Sequence, residues 1–501
     1  MQNLVPNSPI AGKSIGGILL TVLLFGHPGV SESAVSDNSG ASMAISCSDN
    51  AQAAFDRGLT LLHHMMYNQA SSTFSEGATE SPECAMLHWG VAMSQFQPVR
   101  PGVPSEEAMS EGRKSVSLML AIDDVSALEH SFANSVSAFY QDETAGYRER
   151  IIAWAAAQEI AYKEFNDDID TTAFYALSLL ATAPRSDKTF SQQNRAGLLL
   201  EALNENTELH PGVYHYAIHA YDNPKLYERG LSFANKYGKI APDVPHALHM
   251  PSHIFVRSGQ WDEVIQWNEG SANAAMEQSV DGEVSSNYAH AMDYLIYAHL
   301  QKGEFETAEN LLAEFVDTKN HQSNFGSAYA LAASPMRVLL EQERWEKAAR
   351  ISPQLHDSIS WEKFPQTEAM LWFGKGIGAA RIDDEASASS ALAELQEIKT
   401  SLEKLKQPYW IELLASQMLS VEAWMELNKG NTEKAIEMQT KAADIEDAAG
   451  KSPVTPGHIL PQRELLGDML ALLGKISESN KAYELALINA PNRRRSVLAS
   501  Q

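Results

Sequence analysis

Two 34-residue stretches near opposite ends of the chain carry a glycine, an aromatic residue and a proline at the same spacing. The residues are Gly58, Phe74 and Pro82 in stretch 51–84, and Gly467, Tyr483 and Pro491 in stretch 460–493. In both, the aromatic residue follows the glycine by 16 residues and the proline follows it by 24. A glycine lets two helices approach closely, an aromatic ring fills the remaining space, and proline ends the second helix. The pattern predicts an antiparallel helix pair that recurs along the chain.

The chain after residue 50 has the composition of a helical protein. Alanine, leucine, glutamate and glutamine dominate, and apolar residues recur at intervals of three and four. Breaks fall at clusters of proline and glycine such as 97–104, after which Ser105 is a predicted helix N-cap. Helices of roughly 12 to 18 residues joined by short turns favour antiparallel pairs. We therefore expect an all-α fold, an α-solenoid of antiparallel helix pairs.

These spacings resemble the tetratricopeptide repeat (TPR) family, whose unit is a helix–turn–helix of about 34 residues. Weaker matches begin near residues 211, 245, 289, 329 and 416, and stretches 105–205 and 355–415 look like helix pairs with degraded signatures. The resemblance covers most of residues 51–495. It implies a superhelix whose concave groove is lined by the first helix of each unit.

Four shorter motifs narrow this resemblance to a histidine-rich group of exported bacterial repeat proteins. They are His210-Pro-Gly-x2-His-Tyr-x-Ile-His, Pro245-His-Ala-Leu-His-Met-Pro-Ser-His-Ile-Phe with Gly259-x-Trp261, Cys84-Ala-Met-x-His-Trp-Gly90, and Pro461-x-Arg-Glu-Leu-Leu466. The narrower resemblance implies the architecture and the candidate positions, and it implies no particular activity.

Three consecutive units place histidine and aspartate at equivalent positions. Stretches 211–244, 245–278 and 289–322 can be superposed as repeats, with Tyr297 where the other two have histidine. The predicted metal ligands are His215, His219, Asp222, His246, His249, His253, His290 and Asp293. Two pairs of these histidines are four residues apart, so each pair projects from one face of a helix. Two such faces on neighbouring helices can converge on one or two cations.

This set of side chains favours a divalent transition-metal centre. Imidazole nitrogens mixed with carboxylate oxygens suit zinc, copper, iron, nickel or manganese. Imidazole N–H groups that do not face the metal need acceptors, a role open to Asp222, Asp293 or Tyr297. Two alternatives are a groove that binds a polar ligand without metal, and histidines that make only structural hydrogen bonds.

The functional hypothesis is an exported repeat protein that binds a transition metal in its concave groove and acts on a small or anionic substrate. Asp293, Arg337 and Tyr297 are the catalytic candidates, with Asp293 as a general base and Arg337 as a substrate anchor. Hydrolase and oxidoreductase chemistry are not distinguished. The alternative is a non-catalytic scaffold that holds a peptide or partner protein in the groove. His63 and His64 could face the groove or the core, and His63 is the better groove candidate. His88 and Trp89 form a lesser cluster in which packing into the first helix pair is the alternative, and the remaining histidines are expected at the surface.

The N-terminus has the pattern of an export signal. Lys13 precedes an apolar run at 15–25, and small and polar residues follow to about residue 44. That run is too short for a membrane helix, which needs about 20 residues. We expect a signal peptide and leader at 1–44, a mature chain without a transmembrane span, and a periplasmic or secreted location. An uncleaved anchor is the alternative.

Charge and cysteine content limit the partners and the compartment. The formal net charge is −26, which repels nucleic-acid phosphates, so we expect no nucleic-acid partner. Cys47 and Cys84, the two cysteines, can pair in an oxidising compartment, and two unpaired buried thiols are the alternative. The helical part is divided into an N-terminal region at 45–205, the histidine-rich repeats at 206–325 and a C-terminal region at 326–501.

Overall fold

The computed structural model describes residues 40–99, 103–205, 209–279, 282–352 and 356–500. Most of the predicted signal and leader, residues 1–39, lies outside this part. Helices dominate the described residues, whose extended backbone pairing is a single bridge between Val284 and His321. No helix within them combines the length and apolar character needed to cross a membrane. The predicted all-α class is confirmed.

The N-terminal helices lead up to the histidine-rich stretch. They are α1 (Asp49–His63), α2 (Tyr67–Glu80), α3 (Ala85–Phe96), α4 (Glu106–Met119), α5 (Ala127–Tyr140), α6 (Tyr147–Glu164), α7 (Ile169–Thr182) and α8 (Ser191–Asn204). Ser105 caps α4 by accepting a hydrogen bond from the Ala108 amide, as predicted. A second cap, Ser126, forms a capping box with Glu129 at the start of α5.

The histidine-rich stretch forms three hairpins. Its helices are α9 (Pro211–Tyr221), α10 (Tyr227–Tyr237), α11 (Pro245–His249), α12 (Pro251–Ser258), α13 (Trp261–Glu277), α14 (Ser286–Lys302) and α15 (Phe305–Asp317). The first helix of the second hairpin is interrupted at Met250, because Pro251 has no N–H to continue the helical ladder. The third hairpin begins at Ser286, three residues before the predicted start, because Ser285 caps it.

The C-terminal helices continue the array. They are α16 (Phe325–Glu341), α17 (Trp345–Arg350), a 3-10 turn (Trp361–Lys363), α18 (Pro365–Arg381), α19 (Glu385–Lys404), α20 (Pro408–Asn428), α21 (Thr432–Ala449), α22 (Gln462–Leu472), α23 (Ile476–Asn489) and α24 (Arg494–Ala499).

Consecutive helices pack as pairs, and the first helices of successive pairs also pack on each other. Helix α14 contacts α15 within its hairpin and α16 in the next, and α16, α18, α20 and α22 continue this stacking. Packing mainly between neighbouring units is the defining feature of a solenoid, so the predicted α-solenoid is confirmed. Helices also pack across the predicted boundaries at 205 and 325, and the three-part division stays a prediction.

The repeated glycines pack as their spacing predicted. A Cβ at Gly58 would lie 2.5 Å from the Phe74 ring, and one at Gly467 would lie 2.7 Å from the Tyr483 ring. Both distances are far below van der Waals contact. Glycine is therefore required for the two helices of each terminal unit to approach this closely.

Long-range connections hold both ends of the array. A disulfide joins Cys47 to Cys84 and ties the segment before α1 to the start of α3. At the other end, Trp261 Nε1 donates to the Asn492 carbonyl at 3.2 Å, which brings the chain end back to α13. Arg493 is fully buried between Glu341 and Glu464, with an Nε–Oε1 distance of 2.9 Å to Glu464.

Candidate metal centre

Six of the eight predicted ligands come together as two groups of three histidines. The first histidine group is His215, His219 and His246, and the second histidine group is His249, His253 and His290. Within each group, one nitrogen from each ring lies within 4.8 Å of the other two. Helix α9 supplies two members, α11 and α12 supply three, and α14 supplies one. The superposition of repeats thus identified residues that meet in space.

The two groups are neighbours. The His219 and His253 rings are 6.4 Å apart between centroids, and so are the His246 and His249 rings. Within the pairs that are four residues apart, the Nε2 atoms face each other, at 3.2 Å for His215 and His219 and at 3.0 Å in the second group. The six imidazole rings therefore form one continuous cluster.

The Nδ1 atoms on the far side of three rings are held by oxygen acceptors. His215 Nδ1 is 2.7 Å from the His63 carbonyl, and His249 Nδ1 is 2.7 Å from Asn268 Oδ1. His253 Nδ1 is 3.0 Å from Asp222 Oδ2. The Asn268 amide is oriented unambiguously, because its Nδ2 donates to the Val264 carbonyl at 2.7 Å. These oxygens can only accept, so each Nδ1 carries the proton.

With this tautomer, neither His249 Nε2 nor His253 Nε2 has a proton to donate to the other. When both rings are neutral with Nδ1 protonated, two Nε2 lone pairs point at each other across 3.0 Å. A proton or a metal cation between them removes the repulsion. Burial, followed by the charges of His290 and His253, holds the pKa of His249 well below its usual range. Burial also lowers the pKa of His253, although Asp222 opposes that shift. Both rings are therefore neutral near pH 7, and their Nε2 lone pairs are available to a metal ion.

The nitrogen spacing also suits coordination. Zinc–nitrogen bonds of about 2.0–2.1 Å in a tetrahedron place two ligand atoms roughly 3.3 Å apart. The facing Nε2 atoms lie at 3.0 and 3.2 Å, within a few tenths of an ångström of that value. Held Nδ1–H groups behind the ligand nitrogens are the usual support of metal-binding histidines. The residues present fit a transition metal.

Both groups open onto one large cavity of about 1470 Å³. His219 and His246 of the first group line it, as do His253 and His290 of the second. The rings of the other two histidines lie behind these and are almost inaccessible. A ligand in the cavity therefore has access to one side of each histidine group.

Asp222 lies outside both histidine groups. Its Oδ2 accepts from His253, and its Oδ1 accepts from Arg257 Nε at 2.8 Å. Lys451 Nζ lies 3.4 Å from Oδ2. Burial disfavours the ionised form, but Lys451, Arg257 and the His253 hydrogen bond together hold the pKa of Asp222 well below its usual range. Asp222 was predicted either as a metal ligand or as an acceptor for an imidazole N–H. In the structure it accepts the N–H of His253.

Asp293, the second predicted carboxylate ligand, is paired with Arg337 instead of the histidines. Its Oδ1 is 3.1 Å from Arg337 Nε, and both side chains are buried. The other two guanidinium nitrogens are also occupied, by the carbonyls of His458 and Gly457 and by Thr455 Oγ1. Four of the five N–H donors of the Arg337 guanidinium are thus used within the protein, and its role as a substrate anchor stays a prediction.

Tyr297 belongs to the same buried region as Arg337. Its hydroxyl accepts from Arg493 NH1 at 3.1 Å, and the guanidinium of Arg337 lies 5.1 Å from its ring centroid. Tyr297 borders the cavity but is only 1% exposed. Its position is that of a packing residue between two arginines.

A third cluster, of two histidines and an aspartate, was not predicted from the sequence. Asp170 Oδ1 lies 2.7 Å from His63 Nε2 and 3.3 Å from His210 Nε2, and all three side chains are buried. The expectation that the remaining histidines lie at the surface is wrong for His210, His299 and His321, which are all buried. Asp170 is on α7, more than 100 residues from His63, and no local pattern marks it. The cluster supports the first histidine group, since the His63 carbonyl holds His215.

Three residues around the second histidine group were not predicted from the sequence. Arg257 is four residues after His253, so its position on the same helix face was detectable from the spacing. Asn268 on α13 and Lys451 after α21 carry no such signal. Lys451 lies 229 positions from Asp222 in the chain, and only the tertiary fold brings them together.

Comparisons with known proteins give no family. No family model matches the chain, and no curated protein matches it. Similar solved structures include the human IFIT1 dimer with m7Gppp-AAAA, at 15% identity and TM-score 0.39 over 80% of this chain and 89% of that chain. A monomeric IFIT1 mutant with Gppp-AAAA has 12% identity and TM-score 0.41 over 91% and 94% of the chains. The TPR domain of P58(IPK) has 10% identity and TM-score 0.20 over 85% and 99%. At these values the likeness carries no argument about function.

Proposed function

We propose that this protein binds divalent transition-metal ions at its two histidine groups, one ion to each. The observation that carries the proposal is the pair of facing Nε2 atoms in His249 and His253, whose Nδ1 protons are committed to Asn268 and Asp222. Neutral imidazoles with fixed tautomers and converging lone pairs are the arrangement that metal binding requires.

The ligand set narrows the choice of metal. Each histidine group offers three nitrogens and no carboxylate, because Asp222 is paired with Arg257 and Asp293 is paired with Arg337. Imidazole suits zinc, copper, iron and nickel, whereas manganese prefers carboxylate and water oxygens. Zinc and copper are therefore the ions we expect to bind most tightly, since both stand high in the Irving–Williams order.

Access to the cavity favours a catalytic use of at least one ion. Three protein ligands leave a coordination position open, as in catalytic zinc sites, whereas structural zinc sites are closed by four. A zinc ion held there would lower the pKa of bound water to about 7. The chain contributes the buried helix faces that orient the imidazoles and the cavity that admits a substrate. We propose a metal-dependent enzyme acting on an anionic substrate.

Elemental analysis of reloaded protein tests the proposal. The purified chain is stripped with chelator, reloaded separately with Zn²⁺ or Cu²⁺, and its metal content per chain is measured. We expect two ions in the wild type and one in His249→Ala/His253→Ala. The control His299→Ala removes a histidine that contacts Glu304 outside both groups, and it should keep two ions. Wild-type protein with metal well below one ion per chain contradicts the proposal and leaves the cavity as a peptide-binding groove.

We also propose an extracytoplasmic location. The N-terminal apolar run and the Cys47–Cys84 disulfide support it, since disulfides persist mainly in oxidising compartments. N-terminal sequencing of protein recovered from the periplasm or medium should find a chain that begins before Cys47. A full-length chain retained in the cytoplasm with free thiols contradicts this.

A further inference from the structure

An excess of positive charge lies buried beside the second histidine group. Arg257 and Lys451 both contact Asp222, so two cations share one carboxylate. All three side chains are less than a tenth exposed. The imidazole of His253 adds no negative charge. One positive charge in this cluster is therefore without a compensating partner.

Lys451 makes fewer and longer hydrogen bonds than Arg257. Arg257 makes a 2.8 Å hydrogen bond to Asp222 Oδ1 and a second bond to the Asp222 carbonyl. For the Lys451 ammonium, the described residues provide one acceptor, Asp222 Oδ2 at 3.4 Å, which is long for a charged hydrogen bond. An ammonium has three N–H donors, so donors remain for another acceptor.

Both cations face the cavity that the histidine groups share. Arg257, Lys451 and His253 all line it. Glu446 also borders the cavity, but burial raises the pKa of its carboxyl to about 8, so it adds little negative charge at neutral pH. A divalent ion on three neutral imidazoles would add further uncompensated positive charge. Each of these facts favours an anion in this part of the cavity.

We propose that Lys451 and Arg257 form an oxyanion site that holds a carboxylate or phosphate group of the substrate next to the second histidine group. The inference rests on the proposed function in that the same cavity serves both. The anchor expected from sequence was Arg337, whereas Arg257 and Lys451 both line the cavity. The cavity volume of about 1470 Å³ leaves room for the remainder of a larger molecule that carries this group.

Anion titrations with matched variants test the site. Inorganic phosphate and succinate are titrated separately by calorimetry into metal-free and zinc-loaded protein at low ionic strength. Lys451→Met should weaken binding at least tenfold, and Lys451→Arg should retain it within threefold. The control Lys225→Met removes another cavity-lining cation, one that donates to the Lys188 carbonyl at 2.7 Å, and should change binding less than twofold.

The outcomes separate this proposal from the metal proposal. Anion binding that depends on Lys451 in metal-free protein supports the site even if no metal binds. Two bound ions with no saturable binding of either anion, or with unchanged binding in Lys451→Met, overturn the site alone. Binding of only phosphate or only succinate assigns the substrate class. If Lys451→Met fails to fold, reductive methylation of the wild type decides: saturating anion should protect Lys451 and not Lys225.

Discussion

At the scale of single residues, the proposed metal site depends on side chains that would not bind the metal themselves. The Nε2 atom of His249 is available to a metal because Asn268 holds the proton on Nδ1, and Asp222 does the same for His253. Without these acceptors each ring can rotate or change tautomer, and its lone pair then leaves the common centre. The acceptors therefore determine whether the histidines form a site at all.

Replacing Asn268 should weaken metal binding without removing a ligand. Asn268→Leu has similar volume but no acceptor for His249 Nδ1, so we expect metal affinity to fall about 10- to 100-fold. Competition with a chelating dye measures it. Ser271→Ala is the matched control, because Ser271 lies on the same helix and bonds the Pro245 carbonyl instead. Equal affinity in both variants would show that Asn268 does not orient the ring.

Buried histidines also predict how stability depends on pH. His64 is inaccessible, and burial together with the charges of His63 and His210 lowers its pKa to about 3. Its unfolded pKa is about 6.5, so the unfolded chain binds the extra proton first as the pH falls. Metal-free protein should therefore lose stability between pH 6.5 and pH 3, by up to about 1.4 kcal/mol per pH unit for this one group.

Urea unfolding of metal-free protein at pH 7, 6 and 5 measures this dependence. His64→Gln keeps an acceptor for Tyr237 but cannot be protonated, and we expect a shallower loss of unfolding free energy. His130→Gln, at an exposed histidine, should leave the slope as in the wild type. Parallel slopes in the wild type and His64→Gln would exclude His64 as a source.

At the scale of helices, the positions of the histidines are determined by how closely neighbouring helices approach. Helix α9 meets the end of α1 at Gly212, where a Cβ would lie 2.4 Å from His63 Nδ1. The His63 ring cannot move aside easily, since Asp170 and Tyr216 hold its two nitrogens. This contact brings His215 within reach of the His63 carbonyl and so defines the first histidine group.

A methyl group at this contact should affect one histidine group and not the other. We expect Gly212→Ala to lower the free energy of unfolding by about 1–3 kcal/mol through overpacking, and to reduce the metal content from two ions towards one. Gly270→Ala is the control, because its Cβ would meet Leu248 at an ordinary 3.8 Å. That variant should gain up to about 1 kcal/mol from helix propensity. Thermal unfolding and elemental analysis measure both, and full metal content in Gly212→Ala would contradict the expectation.

At the scale of the whole molecule, buried ion pairs join helices that are distant in the chain. Arg337 on α16 links Asp293 on α14 to the segment before α22, through Thr455 and the Gly457 carbonyl. The same segment contains Lys451, which contacts Asp222. Residues 451–458 are thus held against the histidine-rich helices by charges and hydrogen bonds that a repeat-by-repeat description does not contain.

Replacing Arg337 should therefore lower the free energy of unfolding. Arg337→Met leaves Asp293 buried without its partner, which costs about 3–5 kcal/mol, and adding Asp293→Asn should recover part of that loss. Denaturant unfolding followed by tryptophan fluorescence measures both variants. Folded Arg337→Met should still bind two metal ions. Unchanged stability combined with lost anion binding would support Arg337 as the substrate anchor.

The sequence by itself determined the helical class, the paired units and six of the histidines that converge. These features follow from local rules: helical periodicity, the spacing of glycine, aromatic and proline residues, and the placing of residues four apart on one face. Successive repeats share the same geometry, which is why superposing three stretches identified histidines that converge from separate helices.

Only the tertiary structure decided what surrounds those histidines. Whether Asp293 faces the histidines or Arg337, and whether Lys451 reaches Asp222, depends on charge pairing between segments 44 and 229 residues apart. A buried carboxylate takes the arrangement that best offsets the cost of leaving water, and the competing cations are fixed by the packing of the whole chain. The periodicity of the sequence does not encode that competition. For this reason the convergence of the histidines could be predicted, and the partners of the buried carboxylates could not.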